Sequence, residues 1–531
     1  MKNLLLSCIF LIYSAIGFAQ SPAIQWSKCY GGSDDDEGFS IVKAPSGGYY
    51  LAGYAASHNG NVGNNTGNYA HLWIIRIDDL GNVMWEKTYG GTWGDEAAYK
   101  IRLTSDEGLI MIGDASSVDG DVTGLHSGSP TSGPSDAWVV KVDSSGNLQW
   151  QKCLGGNQDD TGNDIIQTFD GGYLIGATIS SWDGDISLYH GGPSDCWLAK
   201  LDNLGNLVWE KSLGGSSADI LDAGYELDSN RYYLVGGTNS NDHDVSFNHG
   251  GTDAWIVGVD SVQNIIYEKT FGGSLIDEAI NLRKTNSGTF IITGATQSND
   301  GDVAIQYGAL DIWQFKTDGN SVLSQHSYGG SDYDNPFSTT ETTDHGSLIC
   351  GYSYSIDGQV SCTSNFNNNW WVVKTDSSGN YEWSKCMGGL DEEVARDGIE
   401  TPDGGYIIVG YTKSNDGDVS GNHGGKDVWV VKLSPPGVNV PELEAGVSDF
   451  TAYENSVGSI QLEFNAELAS ELKLSLFDLM GRCVLKENFD CIAGMNTHRT
   501  PSFSPTPGIY VLTLSDAKGT MVKKVFVNGG K

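Results

Sequence analysis

Between residues 24 and 433 the chain is a succession of short apolar runs, each about seven residues long, cut by polar turns. Ala97–Leu103, Gly108–Ala115, Asp136–Asp143 and Leu148–Leu154 read as four consecutive strands, A to D. Turn chemistry divides such runs, as in Asp170-Gly171-Gly172 between A and B, or Ser145-Gly146-Asn147 between C and D. The pattern recurs along the chain. Gly-Gly pairs begin at 31, 90, 155, 214, 272, 329 and 388, with spacings of 59, 65, 59, 58, 57 and 59 residues. Seven tryptophans keep the same phase: Trp73, Trp138, Trp197, Trp255, Trp313, Trp371 and Trp429. A basic residue follows three positions later in six of them: Arg76, Lys141, Lys200, Lys316, Lys374 and Lys432. A second aromatic phase runs through Trp26, Trp85, Trp150, Trp209, Tyr267 and Trp383, and the copy near Ser324 lacks it.

One four-stranded unit cannot bury both of its faces, but a ring of units can. Four strands repeated seven times predict an all-β fold, a seven-bladed β-propeller over residues 20–433. The first copy opens on a D strand, Trp26-Ser27-Lys28-Cys29-Tyr30, and the last stops at a C strand, Asp427–Leu433. The N-terminal strand is therefore expected to complete the last blade and remove a free edge. Over residues 24–433 the array resembles the Gly-Gly-rich propeller repeats of secreted bacterial proteins. In that fold the D–A and B–C connections share one face.

The pattern changes after Leu433. Ser434-Pro435-Pro436-Gly437 opens a linker over 434–448, and a small module follows over 449–531. Leu472, Leu474 and Leu476 alternate with Lys473, Ser475 and Phe477, which predicts a strand in preference to a helix. Gly508–Leu514 and Lys523–Val527 predict two more, and a small β-sandwich results. Leu476-Phe477-Asp478 with Gly481, Pro507-Gly508-Ile509-Tyr510 and the Lys523-Lys524 ending resemble the C-terminal sorting domain of type IX secretion substrates. Tyr453-Glu454-Asn455-Ser456 lacks the prolines usual at the start of that domain. The resemblance implies handling by the type IX secretion machinery and export across a Gram-negative outer membrane, followed by surface attachment or release. At the other end, Lys2, the apolar run Leu4–Phe18 and Gly17-Phe18-Ala19 read as a secretory signal over residues 1–19. Leu5-Leu6-Ser7-Cys8 is a weaker lipoprotein signal, because the apolar run continues past it. No later segment has the roughly 18 apolar residues of a spanning helix.

Charge narrows the partners. The chain holds 30 Lys+Arg against 67 Asp+Glu, a net charge of −37. Residues 21–435 carry 56 acids and 21 bases, so the excess lies in the repeats. Such a balance excludes nucleic acid, which needs a basic footprint, and an anionic membrane surface.

Three acidic phases carry the candidate chemistry. Asp36, Asp95, Asp160, Asp219, Asp277, Asp334 and Glu393 each follow a Gly-Gly pair by four positions and are expected to ring the channel mouth, accepting N–H bonds within their own turns. In the B–C loops, Asp119-Gly120-Asp121, Asp183-Gly184-Asp185, Asp300-Gly301-Asp302 and Asp416-Gly417-Asp418 place oxygens two residues apart, which suits Ca²⁺ or an Asx-type turn. Asp242-His243-Asp244 is a variant, and Asn59-Gly60-Asn61 and Asp357-Gly358-Gln359 are degraded copies. The third phase, Asp136, Asp195, Asp253, Asp311 and Asp427, stands two residues before the strand C tryptophan and reads as a structural acceptor. His126, His190, His249 and His423 recur one per blade, too far apart to share a metal.

Trp93, Trp182, Tyr69, Tyr189 and Tyr307 fall in loops of the same face and form a candidate platform for sugar rings or a protein surface. Cys350 with Cys362, and Cys483 with Cys491, are the close cysteine couples, while Cys29, Cys153 and Cys386 share one phase in different blades and are expected not to pair with one another. No nucleophile elbow, His-Glu-x-x-His helix or phosphate loop occurs. The leading expectation is a secreted or cell-surface, non-catalytic scaffold that recognises glycans or surface proteins. The alternatives are an endoglucanase-like glycoside hydrolase, with Asp183 and Asp185 beside Trp182 as its carboxylates, and an adhesive surface protein.

Overall fold

The computed structural model describes residues 21–436 and 447–527, apart from 64, 66–68, 128–132, 229, 286–287, 363–366, 457–458, 467–469, 478–482, 502–507 and 516–519. The leader expected over 1–19 lies outside these residues. The chain divides into two compact units, 1–437 and 438–531.

The first unit is a β-propeller of seven four-stranded antiparallel sheets. Blade 1 is built from Asp36–Lys43, Tyr49–Ala55, His71–Ile77 and Val83–Tyr89, strands A to D, and five more blades repeat that meander. Strand A begins at Asp36, Glu96, Asp160, Asp219, Asp277, Asp334 and Glu393 in blades 1 to 7. Each blade packs against the next, and blade 1 packs against blade 7. Blade 7 takes its A, B and C strands from Glu393–Glu400, Tyr406–Thr412 and Asp427–Leu433, and its D strand from Ile24–Tyr30. The seam is an antiparallel ladder with Lys28 opposite Val430 and Tyr30 opposite Val428.

The repeated residues have structural reasons. The strand C tryptophans are buried between blades. The indole N–H of Trp197 donates to Glu210 Oε2 at 2.8 Å, and that of Trp138 to Gln151 Oε1 at 2.7 Å. The basic residue three positions on reaches the A–B hairpin: Lys141 to Asp106, Lys200 to Asp170, Lys374 to Asp344 and Lys432 to Asp403.

Every strand A carries a β-bulge against strand B. The bulged residues are Phe39, Tyr99, Asn163, Asp222, Ile280, Phe337 and Arg396. In six blades a glycine on strand B makes room for the bulge. A Cβ on Gly294 would lie 1.7 Å from the Glu278 carbonyl oxygen, and one on Gly53 would lie 1.8 Å from that of Glu37. Blade 3 has Ala177 at this place, opposite Gly162.

Cys362 and Cys386 form a disulfide. This corrects the Cys350–Cys362 couple expected above. The B–C loop of blade 6 folds back over its own strand D, a contact that blade-to-blade phase cannot reveal, while Cys350 is buried in strand B. The bridge closes a loop with a sequence separation of 24, so its reduction is expected to remove about 3 kcal/mol of stability. Thermal unfolding with and without dithiothreitol checks this, and equal midpoints would refute it.

The second unit is a β-sandwich. Val447–Ser456, Ser459–Ala466 and Gly494–Arg499 form one sheet. Cys483–Cys491, Ser470–Phe477, Gly508–Ser515 and Thr520–Val527 form the other. Their facing sides bury Leu462, Phe464, Leu472, Leu474, Leu476, Leu512 and Leu514. The period-two reading of Leu472–Leu476 matches a strand of the second sheet. The side chain of Cys483, and with it the Cys483–Cys491 couple, lies outside the described residues.

Candidate functional site

The first acidic phase sits at the start of each strand A, fully buried. Asp36 accepts the Gly32 N–H at 2.8 Å, the Ser57 N–H at 3.1 Å and the Ser57 hydroxyl at 2.6 Å. Asp219 accepts the Gly215 N–H at 2.7 Å, the Ser240 hydroxyl at 2.8 Å and the Thr238 hydroxyl. Blade 2 corrects the expectation: the buried acid is Glu96, not Asp95. The loop Thr92-Trp93-Gly94-Asp95 is one residue longer than its counterparts, so the count of four lands outside. Glu96 accepts from Gly91 and Ser117, while exposed Asp95 accepts the Ala70 N–H at 2.9 Å.

The Asp-Gly-Asp motifs clasp the loop that enters their own blade. Asp119, Asp183, Asp300 and Asp416 accept the N–H of Thr92, Asn157, Ser274 and Leu390 at 2.6, 2.9, 2.7 and 2.9 Å. Asp121, Asp185 and Asp418 accept, at 3.3 Å, the N–H of Gly90, Gly155 and Gly388. Asp302 donates its own N–H to the Gly272 carbonyl and lies 3.8 Å from His249 Nε2. The central glycine is needed because Gly184 has φ +70° and a Cβ there would lie 2.2 Å from the Gly155 carbonyl oxygen. Asp183 also accepts the Asn157 side chain at 2.5 Å, and Asp185 lies 3.6 Å from His126. Both are engaged in holding loops. Among the described residues no group of three or more His, Cys, Asp or Glu side chains is placed to hold a metal ion.

The aromatic platform comes together in part. Tyr69 and Trp93 meet edge to face at 6.3 Å. Trp182 and Tyr307 are exposed, 64% and 51%. Tyr189 is half-buried against the core of blades 2 and 3, and its hydroxyl donates to the Gly192 carbonyl.

A further concavity lies elsewhere. An axial cavity of about 820 Å³ is lined by strand A residues of all seven blades. The bulges turn Phe39, Tyr99, Asn163, Asp222, Ile280, Phe337 and Arg396 into it. One wall is aromatic and cationic. The Arg396 guanidinium lies 4.2 Å from the Phe337 ring, 5.0 Å from Phe39 and 5.8 Å from Tyr411, and pairs with Glu37 at 3.6 Å. Phe39 meets Tyr99 edge to face at 5.1 Å. Deeper, Arg102 pairs with Asp164 at 3.1 Å and Lys100 with Asp397 at 3.8 Å. Asp397 also accepts the Ser40 hydroxyl at 2.8 Å, which fixes both acids.

Asp222 differs from them. Among the described residues no ion pair or hydrogen bond reaches its carboxyl. Burial, with the Glu278 charge adding to it, pushes its pKa up to about 8. That shift favours the neutral form at pH 7. The sequence reading missed the whole cavity. The signal was a position seven residues after the second glycine of most pairs, where seven copies hold Phe, Tyr, Asn, Asp, Ile, Phe and Arg.

Residues 456–528 match a family described as a secretion system C-terminal sorting domain. The protein is exported through type IX secretion and is a secreted or outer-surface protein of a Gram-negative bacterium. A search of curated proteins found no match. Among solved structures, a neuraminidase-like protein of A/flat-faced bat/Peru is 10% identical, with 78% of this chain and 95% of that one covered and a TM-score of 0.30. A thermostable family-43 glycoside hydrolase is 13% identical, with 58% and 90% covered and a TM-score of 0.27. A member of the duf4221 family from Bacteroides vulgatus is 8% identical, with 78% and 98% covered and a TM-score of 0.31. At these scores the likenesses decide nothing, and the fold rests on the order and packing of its own sheets.

Proposed function

We propose that this exported protein is a binding scaffold whose axial cavity takes one small polar ligand with a ring face, a sugar or the end of a glycan. One observation supports the reading above others: the cavity is lined from a position where the repeats stop repeating. Structural positions hold the same residue blade after blade. The inward bulge instead sets Phe39, Tyr99 and Phe337 against Asn163, Asp222 and Arg396. An aromatic wall facing hydrogen-bonding groups suits a sugar, which has an apolar ring face and a rim of hydroxyls.

A glycan array followed by calorimetry on the purified protein tests this. Phe337→Ala is expected to weaken binding about tenfold or more, and Asp222→Asn to weaken it less, because the neutral acid and the amide both donate. Binding that ignores both variants but falls with Trp93→Ala or Trp182→Ala would move the site to the loop platform. No binding to any glycan would overturn the reading.

A hydrolase reading draws support from Asp222 alone, since a carboxyl kept neutral at pH 7 is what a general acid requires. Reducing-sugar release from soluble glucans that disappears in Asp222→Asn and survives Asp183→Asn and Asp185→Asn would favour catalysis in the cavity.

A further inference from the structure

At each of seven places where one blade meets the next, the first residue of strand C faces the first residue of the following strand A beside a Gly-Gly pair. In five the two are Asp: Asp136 with Asp160, Asp195 with Asp219, Asp253 with Asp277, Asp311 with Asp334, and Asp427 with Asp36. All ten are fully buried. The strand A carboxylates accept N–H and hydroxyl donors on both oxygens. The strand C carboxylates use only Oδ2, which accepts N–H groups of the preceding loop. Their Oδ1 atoms are buried without a partner in all five copies.

At Gly31, Gly214, Gly272 and Gly329, strand C Oδ1 and strand A Oδ2 both lie within 3.0 Å of the point where a Cβ would sit. Two ionised carboxylates cannot face each other in this way without a proton or cation between them. The remaining two junctions show the alternative. There the strand A acid is Glu96 or Glu393, and the residue facing it is His71 or Asn369. Neither is an anion; Asn369 puts its Oδ1 beside Gly388 and donates its Nδ2 to the Asn367 carbonyl, and His71 Nε2 bonds the Gly91 carbonyl.

We propose that the Asp–Asp junctions beside Gly31, Gly214, Gly272 and Gly329 are proton-binding sites, each holding one proton shared between the strand C Oδ1 and the strand A Oδ2. The junction of Asp311 with Asp334 is the simplest. Asp311 Oδ2 accepts from Tyr307 and Gly308, and the Asp-Gly-Asp loop that supplies a carboxylate elsewhere supplies Gln359. The charged group facing Asp311 is Asp334, with Asp332 beyond it, and among the described residues neither Asp311 nor Asp334 enters an ion pair. Burial, then the Asp334 charge, pushes Asp311 up to about 6. At the other Asp–Asp junctions His126, His190, His249 or His423 also faces the strand C acid. Asp185, Asp244 and Asp302 stand beyond the first three, and His243 lies beside His190.

Because the folded pKa is raised, the stabilisation is complete below the unfolded value near 4 and is lost as pH rises through about 6. The test uses the full chain and Asp311→Asn, which puts a fixed donor where the proton sits. Its melting temperature at pH 8 is expected to equal or exceed that of the unsubstituted protein, with a shallower fall between pH 5 and 8. Asp334→Asn, which disturbs the acceptor of Gly330 and Ser355, should melt lower at every pH. In addition, the infrared difference between the unsubstituted protein and Asp311→Asn at pH 5 should contain a carboxylic-acid carbonyl band that vanishes on unfolding. Absence of that band, or a lower melting temperature of Asp311→Asn at pH 8 with an unchanged slope, would overturn the proposal. So would stabilisation by CaCl₂ over chelator that Asp311→Asn abolishes, which would put a cation in the proton's place.

Discussion

Removal of residues 24–30 is expected to abolish the cooperative unfolding of the propeller. That strand is the fourth of blade 7, and without it strand Asp427–Leu433 presents an open edge of unpaired N–H and C=O groups. Tyr30 and the half-buried Trp26 leave the shared core of blades 7 and 1, where they pack with Ile41, Val428 and Val430. Tyr30 also ties the seam to blade 1, its hydroxyl donating to the Gly81 carbonyl at 2.7 Å. The ring bears its stability as contacts between neighbours, so an opened seam affects both flanking blades. Calorimetry of the shortened chain should show a broad or missing transition and a rise in aggregation. A sharp transition at the original temperature would mean that the strand is an accessory.

Gly294→Val is expected to cost about 4 kcal/mol or more, the range reached by severe backbone and packing conflicts. Its Cβ would stand 1.7 Å from the Glu278 carbonyl oxygen, and backbone cannot yield as a side-chain tip can. Relief requires flattening the bulge at Ile280. A bulge inserts one residue and reverses which side chains face inward beyond it. The variant should therefore lose ligand affinity as well as stability, though position 294 is no part of the cavity lining. Chemical denaturation and calorimetry on the same sample separate the two effects. A loss below 1 kcal/mol with unchanged binding would show that the bulge is not what shapes the cavity.

Repetition made the fold legible and concealed the cavity. The Gly-Gly pairs and the strand C tryptophans recur because each blade solves the same packing problem, so their phase reveals the strands and even the seam at Trp26–Tyr30. The Asp-Gly-Asp loops were legible as turns, since a positive φ at Gly184 needs no tertiary information. Glu96 was misplaced because one extra loop residue in blade 2 defeats a fixed count. Cys362 was given the wrong partner because its loop folds onto Cys386 of the same blade. The cavity was hidden for a deeper reason. A search for repeated residues discards the one phase in which Phe39, Asp222 and Arg396 are equivalent, and a bulge breaks the period-two alternation that would have pointed them inward.

Closure of the ring by the N-terminal strand is tested most directly by a cross-link at the seam. In the protein carrying both Lys28→Cys and Val430→Cys, whose parent residues face each other in the ladder, mild oxidation should join the two cysteines within one chain, detected by mass spectrometry of the digested protein. Recovery of both thiols unlinked, under conditions that oxidise a control pair at Ile74 and Lys87 of blade 1, would contradict it.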